Sequence, residues 1–102
     1  MTAISQKGAD FLSRSRLAEA EAGDVDALFE LGVIYSTGRG GTMVDLIEAH
    51  KWFNLGALSG DMRSQQCRAD IASEMTAREI ADAQRQARSW LGATRDTARY
   101  AA

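Results

Sequence analysis

The chain has 102 residues, 45% hydrophobic and 25% charged, with a formal net charge of −2, one cysteine and no proline. That is enough for one domain with a modest core. It excludes the strongly basic face of a nucleic-acid binder, an intrachain disulfide and, with no run near 18 consecutive apolar residues, a membrane-spanning helix. The lack of proline, which breaks helix interiors, points to a mostly helical chain. The opening MTAISQKGADFLSRSR has no apolar run of signal-peptide length, and a lone cysteine suits a reducing compartment. The expected location is cytoplasmic. Charge is mildly uneven: residues 76–102 carry five arginines against three acids, while Glu19, Glu21, Asp24, Asp26 and Glu30 cluster earlier.

The first predicted helix spans about 5–22, with Ala9, Phe11, Leu12, Ala18 and Ala22 as a weak apolar stripe. Gly23 ends it, and Asp24 or Asp26 caps the next by accepting free backbone N–H groups. In the second helix, about 25–36, Ala27, Leu28, Leu31, Gly32 and Tyr35 share a face that Phe29, Val33 and Ile34 widen. Only Asp26 and Glu30 are clearly polar there. A helix without a broad polar face is buried on more than one side or left partly bare for a partner. The glycines at 38, 40 and 41 then turn the chain back.

The third helix, about 45–59, opens with Asp45 and Glu48 at capping-box spacing and carries Ala49, Trp52, Phe53, Ala57 and Leu58 as its stripe. Gly60 ends it. A fourth segment, about 62–73, has a thinner stripe of Ser64, Cys67 and Ile71, continuing to Met75. The fifth begins with a second capping box, Thr76 and Glu79, and places Ile80, Ala83, Ala87, Trp90 and Leu91 on one face. Beyond Gly92 the pattern lapses and residues 93–102 are expected to fray. No alternating apolar run intervenes, so the fold class is all-α with about five helices.

Self-comparison reveals a period. Gly-Asp occurs at 23–24 and 60–61, a separation of 37, and tryptophan at 52 and 90, a separation of 38. Periods of this size with two helices per unit belong to stacked helix pairs. Between 27 and 60 the residues follow the pattern A-x-x-x-L-G-x-x-Y-x-x-G-x-G, then D-x-x-x-A-x-x-W-[FY]-x-x-A-[AL]-x-x-G. The matching positions are Ala27, Leu31, Gly32, Tyr35, Gly38 and Gly40, then Asp45, Ala49, Trp52, Phe53, Ala57, Leu58 and Gly60. This stretch resembles Sel1-like repeats, relatives of the tetratricopeptide repeat. Gly41 stands where the pattern has an apolar residue, and the loop before Asp45 is one residue longer. The resemblance implies a short right-handed α-solenoid of antiparallel helix pairs over residues 1–92. Residues 5–22 form a partial repeat, 24–60 the best match and 61–91 a diverged unit. It also implies adaptor or regulatory work, often in bacterial signalling, stress or envelope processes. Small residues at 27, 32, 49 and 57 let helix axes approach while Leu31, Tyr35, Trp52 and Phe53 fill the space; Trp52→Ala or Phe53→Ala should cost about 3–5 kcal/mol.

Candidate chemistry is sparse. GRGG at 38–41 lacks the Lys-Ser/Thr and the preceding strand of a phosphate loop. His50, beside core Ala49 and expected to be exposed, and Cys67, on a buried stripe, are too few for zinc and a weak nucleophile pair. The acid pairs Asp24/Asp26 and Asp45/Glu48 stand at helix starts, where capping outweighs acid–base work. Some cysteine-rich Sel1-like proteins are linked to β-lactamase activity, but their paired cysteines and the Ser-x-x-Lys signature are missing here. Arg78, Arg85 and Arg88, with Arg95 and Arg99, make a weak basic patch that reads better as a solvated face. If the first helix of each pair lines the concave side, Phe29, Glu30 and Val33, with Gln65, Gln66 and Ala69 of the next unit, form a partner-binding surface; otherwise Phe29 and Val33 pack on residues 5–22. The expected function is non-enzymatic protein–protein interaction with a peptide or helix of an unidentified protein, without cofactor, metal or nucleic acid. The alternatives are self-association, as in a homodimer, and a small hydrolase.

Overall fold

The computed structural model describes the backbone of residues 2–101 and the side chains of residues 11–94. Five helices follow in order: α1 Thr2–Glu21, α2 Val25–Thr37, α3 Leu46–Leu58, α4 Met62–Ala72 and α5 Ala77–Ala101, with a 3-10 turn at Arg39–Gly41 between α2 and α3. The described residues contain no strand, and among them no helix is long and apolar enough to cross a membrane.

Local chemistry sets the helix ends. Asp24 accepts from the Asp26 and Ala27 amides, at 3.0 and 3.4 Å, and caps α2. Gly38 closes α2 in the left-handed conformation, its N–H donating to the Ile34 carbonyl. At α3 the Glu48 amide donates to Asp45 Oδ1 at 3.1 Å. Thr76 and Glu79 form both halves of their box before α5. The fifth helix continues beyond Gly92 to Ala101. A glycine stops a helix by taking a positive φ, and Gly92 is not among those that do.

The two Gly-Asp turns are copies of each other. Gly23 and Gly60 have φ of 98° and 92°. In each, the aspartate amide donates to the carbonyl five residues back, Asp24 to Glu19 and Asp61 to Gly56, both at 3.0 Å. Only glycine adopts this backbone cheaply.

Packing centres on α3, which lies against α2, α4 and α5, while α1 lies against α2 and the 3-10 turn. The Asp45 amide meets the Tyr35 carbonyl at 2.9 Å. Phe53 lies on Gly32, and Gly56 approaches Leu28, so α3 runs antiparallel to α2. Ser64 sits on Gly56 and Arg68 reaches Asn54 at 2.6 Å, which makes α4 antiparallel to α3. Two glycines permit this closeness. A Cβ on Gly32 would stand 2.4 Å from the Phe53 ring, and one on Gly56 2.3 Å from Ser64 Oγ. Ala27 and Ala49 are wholly buried, and Trp52 and Phe53 keep only 3% and 1% of their exposure.

Several faces differ from the sequence reading. On α1 the inward residues are Leu17 and Ala20, whereas Phe11 is 72% exposed and Ala18 and Ala22 are exposed; Ala9 lies outside the described side chains. On α3, Leu55 and Gly56 are buried and Leu58 is exposed, because Leu58 falls about 200° around the helix from Gly56. His50, expected in solvent, is buried. With α2 on one side and α4 and α5 on others, α3 has little free surface left. Cys67 is half-buried rather than a core residue.

Candidate functional site

Between α1, α2, the loop after α2, α3 and α5 lies a cleft of about 870 Å³. Its apolar lining comes from every side: Leu17 of α1, Leu31 and Tyr35 of α2, Trp52 of α3 and Trp90 of α5. The last two rings meet edge to face, centroids 5.4 Å apart, an arrangement that aromatic quadrupoles favour. The loop supplies Thr42, Met43 and Val44. Met43 and Val44 are 83% and 58% exposed, so two apolar side chains stand in water at the border of an apolar recess.

Charged residues also line it: Arg14, Glu21, Asp45, Glu48 and Lys51. Glu48 organises one wall. Its carboxylate accepts from Trp52 Nε1 at 3.0 Å and from Lys51 Nζ at 2.9 Å. The Lys51 ammonium in turn lies 4.5 Å from the Trp52 ring centroid, a cation–π contact. Capping-box spacing suggested that this carboxylate would bond back to the Asp45 backbone; the indole and the ammonium hold it instead. A volume within the usual range for ligand pockets, an apolar floor and a few placed polar groups suit recognition.

The residues expected to bind a partner are dispersed. Phe29 packs against Phe53, centroids 6.0 Å apart, beneath the Arg63 guanidinium at 4.4 Å. Glu30 turns the other way, to Arg16 of α1 at 2.7 Å. Val33 is half-buried, and Gln65, Gln66 and Ala69 are exposed on α4. None of these six lines the cleft, whereas Leu31, Tyr35, Asp45 and Trp52 of the repeat pattern do. Sequence reasoning missed the cleft; the one local sign was Met43-Val44, an apolar pair inside a glycine-rich loop.

A second cluster ties α2 to α4. Arg63 donates to Asp61 at 2.9 Å and to Asp26, the residue 37 positions earlier, at 2.6 Å. Buried Ser64 donates to the other Asp61 oxygen at 2.6 Å. Burial raises the Asp61 pKa, but the hydrogen bonds from Ser64 and Arg63 outweigh it and hold the carboxyl below its ordinary 3.8. His50 Nδ1 is buried without a hydrogen-bond partner; burial first, then the Arg68 charge, lowers its pKa. The Cys67 thiol is pushed up by burial and by Asp70 and Asp61, away from the reactive thiolate. Of the terminal arginines with described side chains, Arg85 pairs with Asp82, and Arg78 and Arg88 are exposed. No group of three or more His, Cys, Asp or Glu among the described residues is placed to hold a metal.

No family model, curated protein or solved structure matches the chain.

Proposed function

We propose that the chain is a Sel1-like helical repeat module, a short right-handed solenoid, that binds a peptide or helix of another protein without catalysing a reaction. Three observations support the repeat. The Gly-Asp turns share one backbone form, Arg63 pairs with Asp26 one period away, and Trp52 touches its counterpart Trp90. Recurring contacts between equivalent positions are how stacked units bury a continuous core. The observation that carries the binding function is the cleft, with aromatic rings from three helices in its lining and an exposed Met43-Val44 loop beside it. Its lining contains neither the histidine nor the cysteine, and the raised thiol pKa argues against a nucleophile.

The test is selection of a displayed random-peptide library on the folded chain, followed by a Met43→Ser/Val44→Ser double variant. Both side chains are mostly exposed, so the variant should melt within a few degrees of the parent while losing at least about tenfold in affinity for the selected peptides, as interface anchors do. Failure to select any peptide, or peptides whose binding ignores the double variant, would refute the cleft as the binding surface.

A further inference from the structure

We infer that the occupant of the cleft is a cationic amphipathic segment of another protein, its apolar side chains on Tyr35, Trp52 and Trp90 and its lysines or arginines meeting carboxylates at the two ends. This rests on the cleft being the binding site. The first support is the placing of the charges. Glu21 closes α1 just before α2 begins, and the Asp45 amide is bonded to the Tyr35 carbonyl near the end of α2. The two carboxylates therefore bracket α2, whose 13 residues extend about 20 Å at 1.5 Å per residue. A helix of comparable length laid along the cleft brings its own ends to both.

The balance of charge is the second support. Three carboxylates and two cations line the cleft, and neither cation is idle. Lys51 is held by Glu48 and by the Trp52 ring, and Arg14 has an interaction of its own. Glu21 and Asp45 are exposed. An arriving segment thus meets net negative charge around an aromatic floor, and an acidic segment is repelled. The third support is that an ammonium already lies against one of these rings, Lys51 on Trp52. A second copy of this chain, at net charge −2, is a poorer electrostatic match.

The assay is built into the molecule, because the chain's two tryptophans both line the cleft. Two tryptophan-free helical peptides of about 14 residues share one leucine and alanine pattern and carry either lysine or glutamate at the polar positions. Each is titrated against the full chain while tryptophan emission is followed. At low salt the lysine peptide should shift the emission and bind at least about tenfold tighter than the glutamate peptide. Glu21→Lys and molar salt should each remove most of that preference, and Met43→Ser/Val44→Ser should weaken both peptides. Equal affinities, or a lysine preference indifferent to Glu21→Lys, overturn the inference while the cleft reading stands if the double variant still weakens binding. No binding by either peptide also overturns it, and the displayed-library selection then decides the cleft reading separately. A dimer in light scattering that the double variant dissociates makes a second copy the occupant and overturns it as well.

Discussion

Replacing Gly32 with alanine adds one methyl group, and the structure indicates where it would go. The new carbon would lie 2.4 Å from both Cδ1 and Cε1 of Phe53, about 1 Å inside an ordinary carbon–carbon contact. The ring is 1% exposed and packs on Phe29, so α2 and α3 must separate or Phe53 must leave its rotamer. Overpacking of this kind costs about 1–3 kcal/mol. Against it stands the gain of about 1 kcal/mol that alanine brings over glycine inside a helix. Because the overlap is large and the ring is boxed in, the upper part of the first range applies, and a net loss of about 1–2 kcal/mol is expected. Gly92→Ala is the control: it is the same substitution in a helix, with nothing within 4 Å of the new carbon, and should stabilise by up to about 1 kcal/mol. Urea unfolding followed by circular dichroism measures both. Adding Phe53→Leu to Gly32→Ala should recover part of the loss as a positive coupling. A Gly32→Ala protein as stable as the parent would refute the close-approach argument.

Other outcomes follow from single contacts. Phe29→Ala removes a half-buried ring packed on Phe53 under Arg63 and should destabilise by about 2 kcal/mol, roughly half the value for a fully buried phenylalanine; an unchanged urea midpoint would show the ring to be idle in the fold. Asp24→Ala removes the cap of α2 and should cost about 1 kcal/mol, read as a lower melting temperature. His50 has a folded pKa below its ordinary 6.5. Its contribution to stability is therefore complete above about pH 6.5 and drains away as the pH falls from there toward the folded value. The melting temperature should stay level from pH 8 to 7, fall once the pH drops below about 6.5, and lose that step in His50→Gln. Asp61, lowered from 3.8, loses its contribution only below about pH 3.8, so its loss begins at a lower pH than that of His50.

Apart from the end of α5, which runs on through Gly92 to Ala101, helix limits were legible because neighbours in sequence carry them. Asp24, Asp45 and the Thr76–Glu79 pair sit next to the amides they cap, and Gly23, Gly38 and Gly60 take the positive φ that glycine advertises. The 38-residue spacing of Trp52 and Trp90 reads only as a period, and the fold brings the two rings together. Facing directions were harder to read. His50 beside Ala49 looks like an outward residue until the fold buries it within reach of the Arg68 charge on α4, and Phe11 resembles a core residue until the α1 contact proves to run through Leu17 and Ala20. Gly56 carries no local sign of its role, because its reason for being small is Ser64, on the next helix. The cleft was least legible of all, being a space enclosed by helices far apart in the chain.

The edge-on meeting of the two indoles has a consequence for where the folding unit ends. Residues 24–60 hold the most regular pattern, yet one ring of that stretch finishes its packing only when the last helix arrives. Severed after Gly60, the segment would leave Trp52 with a bare edge and remove Ala87 from the cluster that also holds Trp52 and Leu55. The stretch most faithful to the pattern should therefore fold poorly by itself, with α5 as its keystone.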